Sequence, residues 1–300
     1  MLYTRAAELL SEHTIEYAEN EPLAPHTSFR IGGPARLAVY PDTVEKAVTA
    51  LSILRNEGAR ILVLGNGTNV LIADEGFDGA AVILTGMHAC ELRDGELYCE
   101  AGVSLTRAAM AAAKLSLSGL EFAYGIPGTI GGGVYMNAGA YGGEMSQVVR
   151  TSTWYDLATG ESGSFKGDAH DFAYRHSAYM NSSKIVLSAS LRLKPGVRED
   201  IEAVMNDYMS RRRAKQPLEY PNAGSIFKRG ADFFTAQLID EAGLKGRSVG
   251  GAQVSEKHAG FIVNRGGATA RDVLTLIDII KTEIKEKFDK EIECEVRYIH

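Results

Sequence analysis

One stretch of this chain, residues 122–143 (FAYGIPGTIGGGVYMNAGAYGG), restricts the fold most, because eight of the 32 glycines fall within it. Glycine loses more backbone freedom on folding than any other residue, so such a cluster is costly unless backbone must approach something closely. A membrane-spanning helix is disfavoured, because the glycines, Pro127 and Asn137 make a poor lipid-facing helix. Two interpretations stay open on this stretch alone. It is either a seam of small residues between packed elements or a backbone cradle for a large, phosphorylated ligand.

Composition is that of an ordinary globular protein. The chain has 300 residues, of which 45% are hydrophobic and 23% charged, and this length suggests two or three domains. A net charge of −6 gives no electrostatic support for a nucleic-acid partner. The amphipathic N-terminus lacks the apolar core of a signal peptide. Three cysteines without CxxC spacing predict reduced thiols. We therefore expect a cytoplasmic protein with no membrane partner, and the sequence predicts no metal site and no particular oligomeric state.

A second glycine-containing loop, GNGTN at residues 65–69, lies between two apolar strands in a β-α-β order. Ligands gather at the carboxyl ends of strands in α/β layers. No helix pattern follows the loop, so a Rossmann-type phosphate site at a helix N-terminus is disfavoured. The loop is either a nest of N–H groups that converges on an anion or a plain Asn-Gly turn, and the pentapeptide alone favours the turn.

Periodicity and capping residues predict the remaining elements of an α+β chain. Helices are expected at residues 1–13, 43–57, 104–115, 198–216, 233–242 and 269–288, and a hairpin is expected to turn at Asp94-Gly95. A last strand is expected over residues 292–299. Alternation along it places Glu293 and Glu295 on one face. A composition shift near Pro195-Gly196 marks a domain boundary just before residue 198. With a separate division after residue 80, the predicted parts are 1–80, 81–197 and 198–300.

Several longer motifs occur together and in order: GIPGTIGGGVYMNAGAYGGE, YRHSAY, PNAGSIFK, GLKG, HAGFIVN and ECEVRYI. The pair of ligand-type loops resembles the flavin-binding fold of the vanillyl-alcohol-oxidase type. The ordered set closely resembles the UDP-N-acetylenolpyruvoylglucosamine reductase family, in its shorter subtype, from about residue 27 to residue 299. Each motif is weak alone, whereas the ordered set is highly specific.

The resemblance implies a fold and an activity. FAD is expected to bind non-covalently between parts 1–80 and 81–197, while part 198–300 binds the UDP-sugar nucleotide. NADPH is expected as the co-substrate that reduces the flavin. A hydride then passes from flavin N5 to C3 of the enolpyruvyl group, and a proton is added to C2. The product is UDP-N-acetylmuramate, a peptidoglycan precursor.

Three residues match the family's catalytic positions. Ser225 matches the proton donor for C2, although a serine after Ala-Gly is more often a turn residue. Arg175 matches the arginine that faces the substrate carboxylate and enolate, although a strand-edge salt bridge is the ordinary role. Glu295 matches the carboxylate that assists enolate formation, as an acid or through a hydrogen bond, although such a Glu is usually only solvated.

Binding residues are also carried over by position. The predicted cofactor-binding residues are Gly65, Asn66, Gly67, Thr68, Asn69, Pro127, Gly128, Thr129, Gly132, Asn137, Gly139 and Ala140. The predicted substrate-binding residues are Lys228, Arg229, Lys245 and His258, for each of which a solvated surface charge is the ordinary alternative. Three consecutive arginines, residues 211–213, either serve phosphates of FAD or substrate or complement a helix C-terminus.

Two other functions compete with this interpretation. One is a flavin oxidase of the same fold with a different substrate, whose reduced form would react rapidly with oxygen. The other is a nucleotide-binding regulator that has lost its flavin. The intact glycines in both loops disfavour the regulator.

Overall fold

The computed structural model describes residues 2–300, which form two compact units built from interleaved segments. The first unit contains the residues up to Glu19, Arg36–Asn66 and Gly79–Arg212. The second contains Asn20–Ala35, Gly67–Asp78 and Arg213–His300. The predicted three-part division at residues 80 and 197 stays a prediction.

Seven α-helices are present in the described part of the chain. They are α1 Leu2–Glu12, α2 Val44–Asn56, α3 Leu105–Lys114, α4 Ile130–Met136, α5 Arg198–Lys215, α6 Thr235–Glu241 and α7 Ala270–Phe288. The sequence predicted all of them except α4, which lies inside the glycine-rich stretch. In residues 2–300 no helix combines the length and apolar character needed to cross a membrane.

The strands of residues 2–300 are mostly short. They are β1 Glu16–Pro22, β2 Pro34–Tyr40, β3 Ile61–Leu64, β4 Val70–Ile72, β5 Phe77–Ile83, β6 Cys90–Arg93, β7 Glu96–Glu100, β8 Leu117–Ser118, β9 Gly139–Ala140, β10 Gly143–Glu144, β11 Val149–Asp156, β12 Ser162–Lys166, β13 Lys184–Leu191, β14 Lys194–Pro195, β15 Asn222–Ser225, β16 Ser248–Val249, β17 Ala252–Val254, β18 Phe261–Asn264 and β19 Arg297–Ile299. Helices and strands are thus mixed along the chain, as predicted for an α+β fold.

Two hydrophobic clusters stabilise the first unit. An antiparallel sheet in the order β12-β11-β13-β7-β6 supplies Leu97 and Leu191 to a cluster completed by alanines of α3 and by Val134 of α4. A second sheet, ordered β1-β2-β5-β3, contributes Val82 to a cluster shared with Leu51 of α2. Because α3 is rich in alanine, its backbone can lie close to the elements that it covers. The short helix α4 packs against α3 and against the interior strands β13 and β7 of this sheet.

The second unit packs one long helix against a small sheet. The antiparallel sheet has the order β15-β18-β17-β16, and α7 covers it with fully buried Leu276, Ile280 and Ile284. A separate parallel pair joins β19 to β4, with Tyr298 opposite Leu71. The unit therefore depends on contacts between residues far apart in sequence.

The last predicted strand is wrong in its extent. Only Arg297–Ile299 form a strand, and the segment before it bends at Val296. The N–H groups of Glu295 and Val296 both point to the carbonyl oxygen of Ile226, at 2.8 and 3.4 Å. Two residues facing one carbonyl interrupt the alternation of side chains that a continuous strand would have. Residues 293–295 precede this interruption, because Cys294 pairs with Phe227 and the N–H of Lys228 donates to the carbonyl oxygen of Glu293 at 2.9 Å. The sharing of one face by Glu293 and Glu295 therefore stays a prediction.

A complete capping box starts α7. The Thr269 hydroxyl oxygen accepts from the N–H of Asp272 at 3.1 Å, and the Asp272 carboxylate accepts from the N–H of Thr269 at 3.0 Å. These backbone bonds hold the pKa of Asp272 below its ordinary value. The box satisfies donors that the first turn of a helix leaves free.

We expect Thr269→Ala to lower the free energy of unfolding by about 1 kcal/mol, the usual cost of losing an N-terminal cap. Thr275→Ala makes the same chemical change within α7, where Thr275 donates to the carbonyl oxygen of Arg271 at 2.8 Å. The free energy of unfolding of this control should equal or slightly exceed that of the parent, because alanine favours helix interiors. Urea denaturation followed by circular dichroism measures the free energy of unfolding of both variants. Equal destabilisation by the two changes would contradict the capping role.

Candidate functional site

The glycine-rich stretch contains the short helix α4, and two of its three glycines are needed for packing. A Cβ atom on Gly131 would lie 2.9 Å from the Cβ of Ala101, and one on Gly133 would lie 3.2 Å from a methyl group of Leu105. The N–H of Gly131 also donates to the carbonyl oxygen of Ala101 at 2.9 Å. The packing-seam interpretation therefore holds for these two positions.

Gly132 differs from its two neighbours because its backbone is exposed. The nearest atom to a Cβ added there would be the Thr129 hydroxyl oxygen, at an ordinary contact distance of 3.6 Å. Internal packing thus gives no reason for glycine at this position. An open stretch of backbone is what a ligand cradle requires, so the cradle stays a prediction for the exposed face of α4.

The two glycine-containing loops meet inside the first unit. A Cβ atom on Gly65 would lie 2.3 Å from the Thr129 hydroxyl oxygen, so only glycine allows this approach. The side-chain amide of Asn66 donates to the carbonyl oxygen of Pro127 at 2.6 Å. The carbonyl oxygen of Gly128 in turn accepts from the N–H of Leu105 at 3.0 Å. The predicted cofactor residues at 65–66 therefore lie next to those at 127–129.

The remaining residues of GNGTN belong to the second unit. Gly67 has a positive φ of 57°, and a Cβ there would lie 2.4 Å from the carbonyl oxygen of His26. Thr68 is half-buried. The side-chain amide of Asn69 donates to the carbonyl oxygen of Glu295 at 3.1 Å. The carboxyl-terminal half of the loop is thereby attached to the segment that carries a predicted catalytic residue.

Asn137 ends α4 in a left-handed conformation, with a φ of 44°, and its side chain is fully buried. Its amide nitrogen donates to the carbonyl oxygen of Ala173 at 3.0 Å, and its amide oxygen accepts from the N–H of Ser146 at 2.9 Å. The side chain thus joins the glycine-rich stretch to the loop of residues 171–178. Contact between Asn137 and the cofactor stays a prediction, as it does for Ala140 in the adjoining strand β9.

Arg175 lies in the loop that Asn137 holds. Its guanidinium donates to the carbonyl oxygen of Gly139 at 3.3 Å and lies 5.1 Å from the centre of the Tyr174 ring. Its φ of 52° is uncommon for a residue with a side chain. Such conformations cluster at functional sites, where the surrounding structure maintains them. Arg175 is therefore positioned against the glycine-rich stretch by its own strained backbone.

Ser225 and Glu295 lie close together in the second unit. The N–H of Glu295 donates to the carbonyl oxygen of Ile226, the residue next to Ser225, at 2.8 Å. The Ser225 hydroxyl donates to the carbonyl oxygen of Phe227 at 3.1 Å. Ser225 follows Gly224, whose φ of 75° turns the chain at this point. Both predicted catalytic side chains are half-buried.

The predicted substrate-binding residues form two groups in the second unit. Lys228 pairs with Glu293 at 3.0 Å, and the Arg229 guanidinium lies 4.2 Å from the centre of the Phe234 ring. These two basic residues line a cavity of about 290 Å³. The second group, at Lys245 and His258, lies elsewhere in the unit.

Lys245 pairs with Asp240 at 2.6 Å. The ring nitrogen Nδ1 of His258 accepts from the N–H of Gly260 at 3.1 Å, and burial lowers the pKa of this histidine. His258 is therefore neutral at pH 7, and its Nε2 carries the proton. It can offer a hydrogen bond to a phosphate but not a positive charge.

Arg212 is the one arginine of the 211–213 run that the structure buries. Its guanidinium lies 5.6 Å from the centre of the Tyr141 ring, and Tyr141 stacks on Tyr208 at 4.4 Å. A Cβ on Gly125 would lie 3.3 Å from Nε of Arg212, so this arginine adjoins the glycine-rich stretch. Helical spacing in the sequence indicates which of the three arginines faces inward, because Arg212 shares one face of α5 with the apolar residues Ile201 and Met205.

Comparison with known proteins identifies the two parts of the chain. Residues 35–165 match the model of an FAD binding domain, and residues 216–299 match the model described as UDP-N-acetylenolpyruvoylglucosamine reductase, C-terminal domain. The chain is 44% identical to the UDP-N-acetylenolpyruvoylglucosamine reductase of Lactobacillus acidophilus, with 97% of both chains covered.

The chain belongs to the UDP-N-acetylenolpyruvoylglucosamine reductase family. A relative of the same name from Syntrophomonas wolfei is 45% identical over 99% of both chains. The crystal structure of UDP-N-acetylenolpyruvylglucosamine reductase from Thermus caldophilus superimposes with a TM-score of 0.80 at 33% identity, covering 95% of this chain and 99% of that one. The predicted family and fold class are confirmed. The protein is an oxidoreductase with an FAD-binding domain.

Gly132→Ala should separate cofactor binding from packing. Because a Cβ fits at this position, the FAD-free variant should be as stable as the parent, or about 1 kcal/mol more stable through helix propensity. Its affinity for FAD should fall at least about tenfold, a loss of about 1.4 kcal/mol, because the added methyl group occupies the exposed backbone surface. FAD titration by fluorescence quenching and urea denaturation of the FAD-free protein measure the two quantities.

Gly131→Ala is the matched control for this experiment. Its Cβ would meet Ala101, so overpacking should destabilise the FAD-free protein by about 1–3 kcal/mol. An unchanged FAD affinity in Gly132→Ala would contradict the cradle.

Proposed function

We propose that this protein is a cytoplasmic, NADPH-dependent reductase that converts UDP-N-acetylenolpyruvoylglucosamine to UDP-N-acetylmuramate for peptidoglycan synthesis, with non-covalently bound FAD. Membership of the named reductase family and the matched FAD binding domain support the reductase activity. Parts 1–80 and 81–197 hold the cofactor in this proposal, and part 198–300 binds the nucleotide.

The observation that carries the proposal is the backbone contact between the segments that contain Ser225 and Glu295. Seventy residues separate them in sequence, yet the Ile226 carbonyl next to Ser225 accepts from the N–H of Glu295. Both lie in the segment that matches the reductase C-terminal domain. This backbone contact brings a residue with a hydroxyl and a residue with a carboxylate onto adjacent segments, and reduction of an enolpyruvyl group requires a proton and a second polar group.

Protonation of C2 is assigned to Ser225. FAD, when bound, supplies the hydride for C3 of the enolpyruvyl group. Negative charge then develops on C2 and on the adjoining carboxylate, and C2 becomes strongly basic. A serine hydroxyl is a weak acid, but it can protonate a basic carbon if it is held on the correct face. The hydrogen bond from the Ser225 hydroxyl to the carbonyl oxygen of Phe227 holds the hydroxyl oxygen in place, and this hydrogen bond breaks when the proton passes to C2.

Stabilisation of the enolate is assigned to Arg175 and Glu295. A guanidinium stays protonated throughout and can present paired N–H groups to a carboxylate. Such donors are most effective where charge develops in the transition state, provided that they are already oriented. The strained backbone of Arg175 and its bond to Gly139 support this orientation. Glu295 assists as a proton donor or hydrogen-bond partner to the same centre.

Cofactor and nucleotide binding are assigned to separate groups of residues. The exposed backbone of Gly132 and the joined loops at Gly65 and Thr129 support a cradle for FAD. Lys245 is positively charged and neutral His258 is a donor, and their proximity supports contact with the diphosphate of the nucleotide. Lys228 and Arg229 are assigned to the same substrate.

The visible spectrum of the purified protein tests the proposed reaction. We expect flavin absorption bands that NADPH bleaches under anaerobic conditions and that the enolpyruvyl nucleotide restores. A protein that stays colourless after incubation with FAD would exclude the proposal. Rapid reoxidation by oxygen, with none by the nucleotide, would indicate a flavin oxidase instead.

Ser225→Ala should affect only one half of the reaction. We expect flavin reduction by NADPH at the parent rate and reoxidation by the nucleotide at least about 100-fold more slowly, because a positioned general acid contributes about this factor or more. Stopped-flow absorbance of each half-reaction provides the measurement. Ser164→Ala, an exposed serine on the edge strand β12, is the control that should match the parent in both halves. Equal slowing of both half-reactions by Ser225→Ala would contradict its role as proton donor.

A further inference from the structure

Two cysteines outside the candidate site face each other across a β-hairpin. Cys90 on β6 lies opposite Cys99 on β7, with their sulfur atoms 3.5 Å apart. Cys99 is fully buried in the core of the first unit. Cys90 is half-buried at the start of β6, which forms an edge of the five-stranded sheet.

The register of the hairpin suits a covalent bond between the two sulfur atoms. Arg93 and Glu96 flank the two-residue turn, and pairs alternate from there between hydrogen-bonded and non-hydrogen-bonded positions. Cys90 and Cys99 therefore occupy a non-hydrogen-bonded pair. The bond from the N–H of Glu100 to the carbonyl oxygen of Ala89, at 2.9 Å, agrees with this alternation. Cα atoms in such a pair are about 4.5 Å apart, within the range of about 4.4–6.8 Å found for disulfides.

The two thiols are chemically unequal. A hydrogen bond with Cys99 lowers the pKa of Cys90, and the positive charge of Arg107 on α3 acts in the same direction. The hydrogen bond with Cys90 and burial raise the pKa of Cys99. The thiolate is the reactive form of cysteine, so the accessible Cys90 reacts first with an oxidant and Cys99 is held as its partner.

We propose that Cys90 and Cys99 form a reversible dithiol–disulfide site that is oxidised by hydroperoxides. The Cys90 thiolate attacks one peroxide oxygen, the O–O bond breaks, and Cys90 becomes a sulfenic acid. The hydroxide or alkoxide that leaves takes up the proton that Cys90 lost on ionising, which gives water from hydrogen peroxide or an alcohol from an organic hydroperoxide. The Cys99 sulfur then attacks the Cys90 sulfur. The S–S bond forms, and hydroxide leaves from Cys90 and takes up the proton of Cys99 as water. A dithiol reductant reverses the process.

The third cysteine provides an internal control. Burial raises the pKa of Cys294, which lies in the second unit. Its thiol is therefore less ionised than that of Cys90. Cys294→Ser should leave oxidation of the pair unchanged.

The test uses the FAD-bound protein with a few equivalents of hydrogen peroxide. Alkylation and intact mass measurement should show a fall from three free thiols to one, with the loss of two hydrogen atoms. Non-reducing peptide mapping should find Cys90 linked to Cys99, and dithiothreitol should restore both thiols. Cys294→Ser should lose its two remaining thiols at the parent rate.

Two variants assign the order of events. In Cys99→Ala, Cys90 should accumulate as a sulfenic acid that dimedone traps. In Cys90→Ser, oxidation of Cys99 should slow at least about tenfold, because its thiol is buried and protonated.

Three results would overturn the proposal: first modification at Cys294, sulfinic acid at Cys90 of the unsubstituted protein without a disulfide to Cys99, or disulfides only between molecules. The unsubstituted protein alone can give any of them, so the outcome does not depend on the variants folding.

Discussion

The close approach of Gly131 to Ala101 is the contact on which the candidate site of the first unit depends. It fixes α4 against the end of β7, where a larger residue would force the helix outward. The start of α4 holds the loop at Gly65, and its end, at Asn137, holds the loop that carries Arg175. This contact therefore contributes to the position of both loops and of a predicted catalytic side chain.

The glycine-rich stretch thus combines two requirements that the sequence alone could not separate. Buried glycines allow the helix to pack, while an exposed glycine leaves its backbone accessible. Buried and exposed glycines cannot be distinguished in the sequence, and here they are adjacent, as Gly131 and Gly132. Burial distinguishes them, and burial depends on Ala101 and Leu105, which lie outside the stretch.

Features fixed by local chemistry could be predicted from the sequence. Thr43, Ser104 and Thr269 each begin a helix, because a side-chain oxygen accepts from an N–H three residues later. Asp94 and Gly95 form the predicted turn, with positive φ values of 49° and 80°. The ordered motifs also identified the family, which comparison with known proteins confirmed.

Features that depend on distant partners could not be predicted. The strand expected around Glu295 fails because two N–H groups share the carbonyl of Ile226, which no local pattern reveals. Arg212 lay on a recognisable helix face, but charge made a buried position improbable from composition alone. Its aromatic neighbour Tyr141 belongs to another segment, so the environment that accommodates it was not visible in the sequence of α5.

The parallel pairing of β4 with β19 has a consequence for synthesis of the protein. The N–H of Ala73 donates to the carbonyl oxygen of Ile299, and the N–H of Arg297 donates to that of Asn69. More than 200 residues separate these partners in sequence. At usual translation rates, on the order of ten seconds or more pass between the synthesis of β4 and the synthesis of β19. The first unit can therefore collapse while the second is incomplete, and the apolar strand β4 stays unpaired with β19 during that interval.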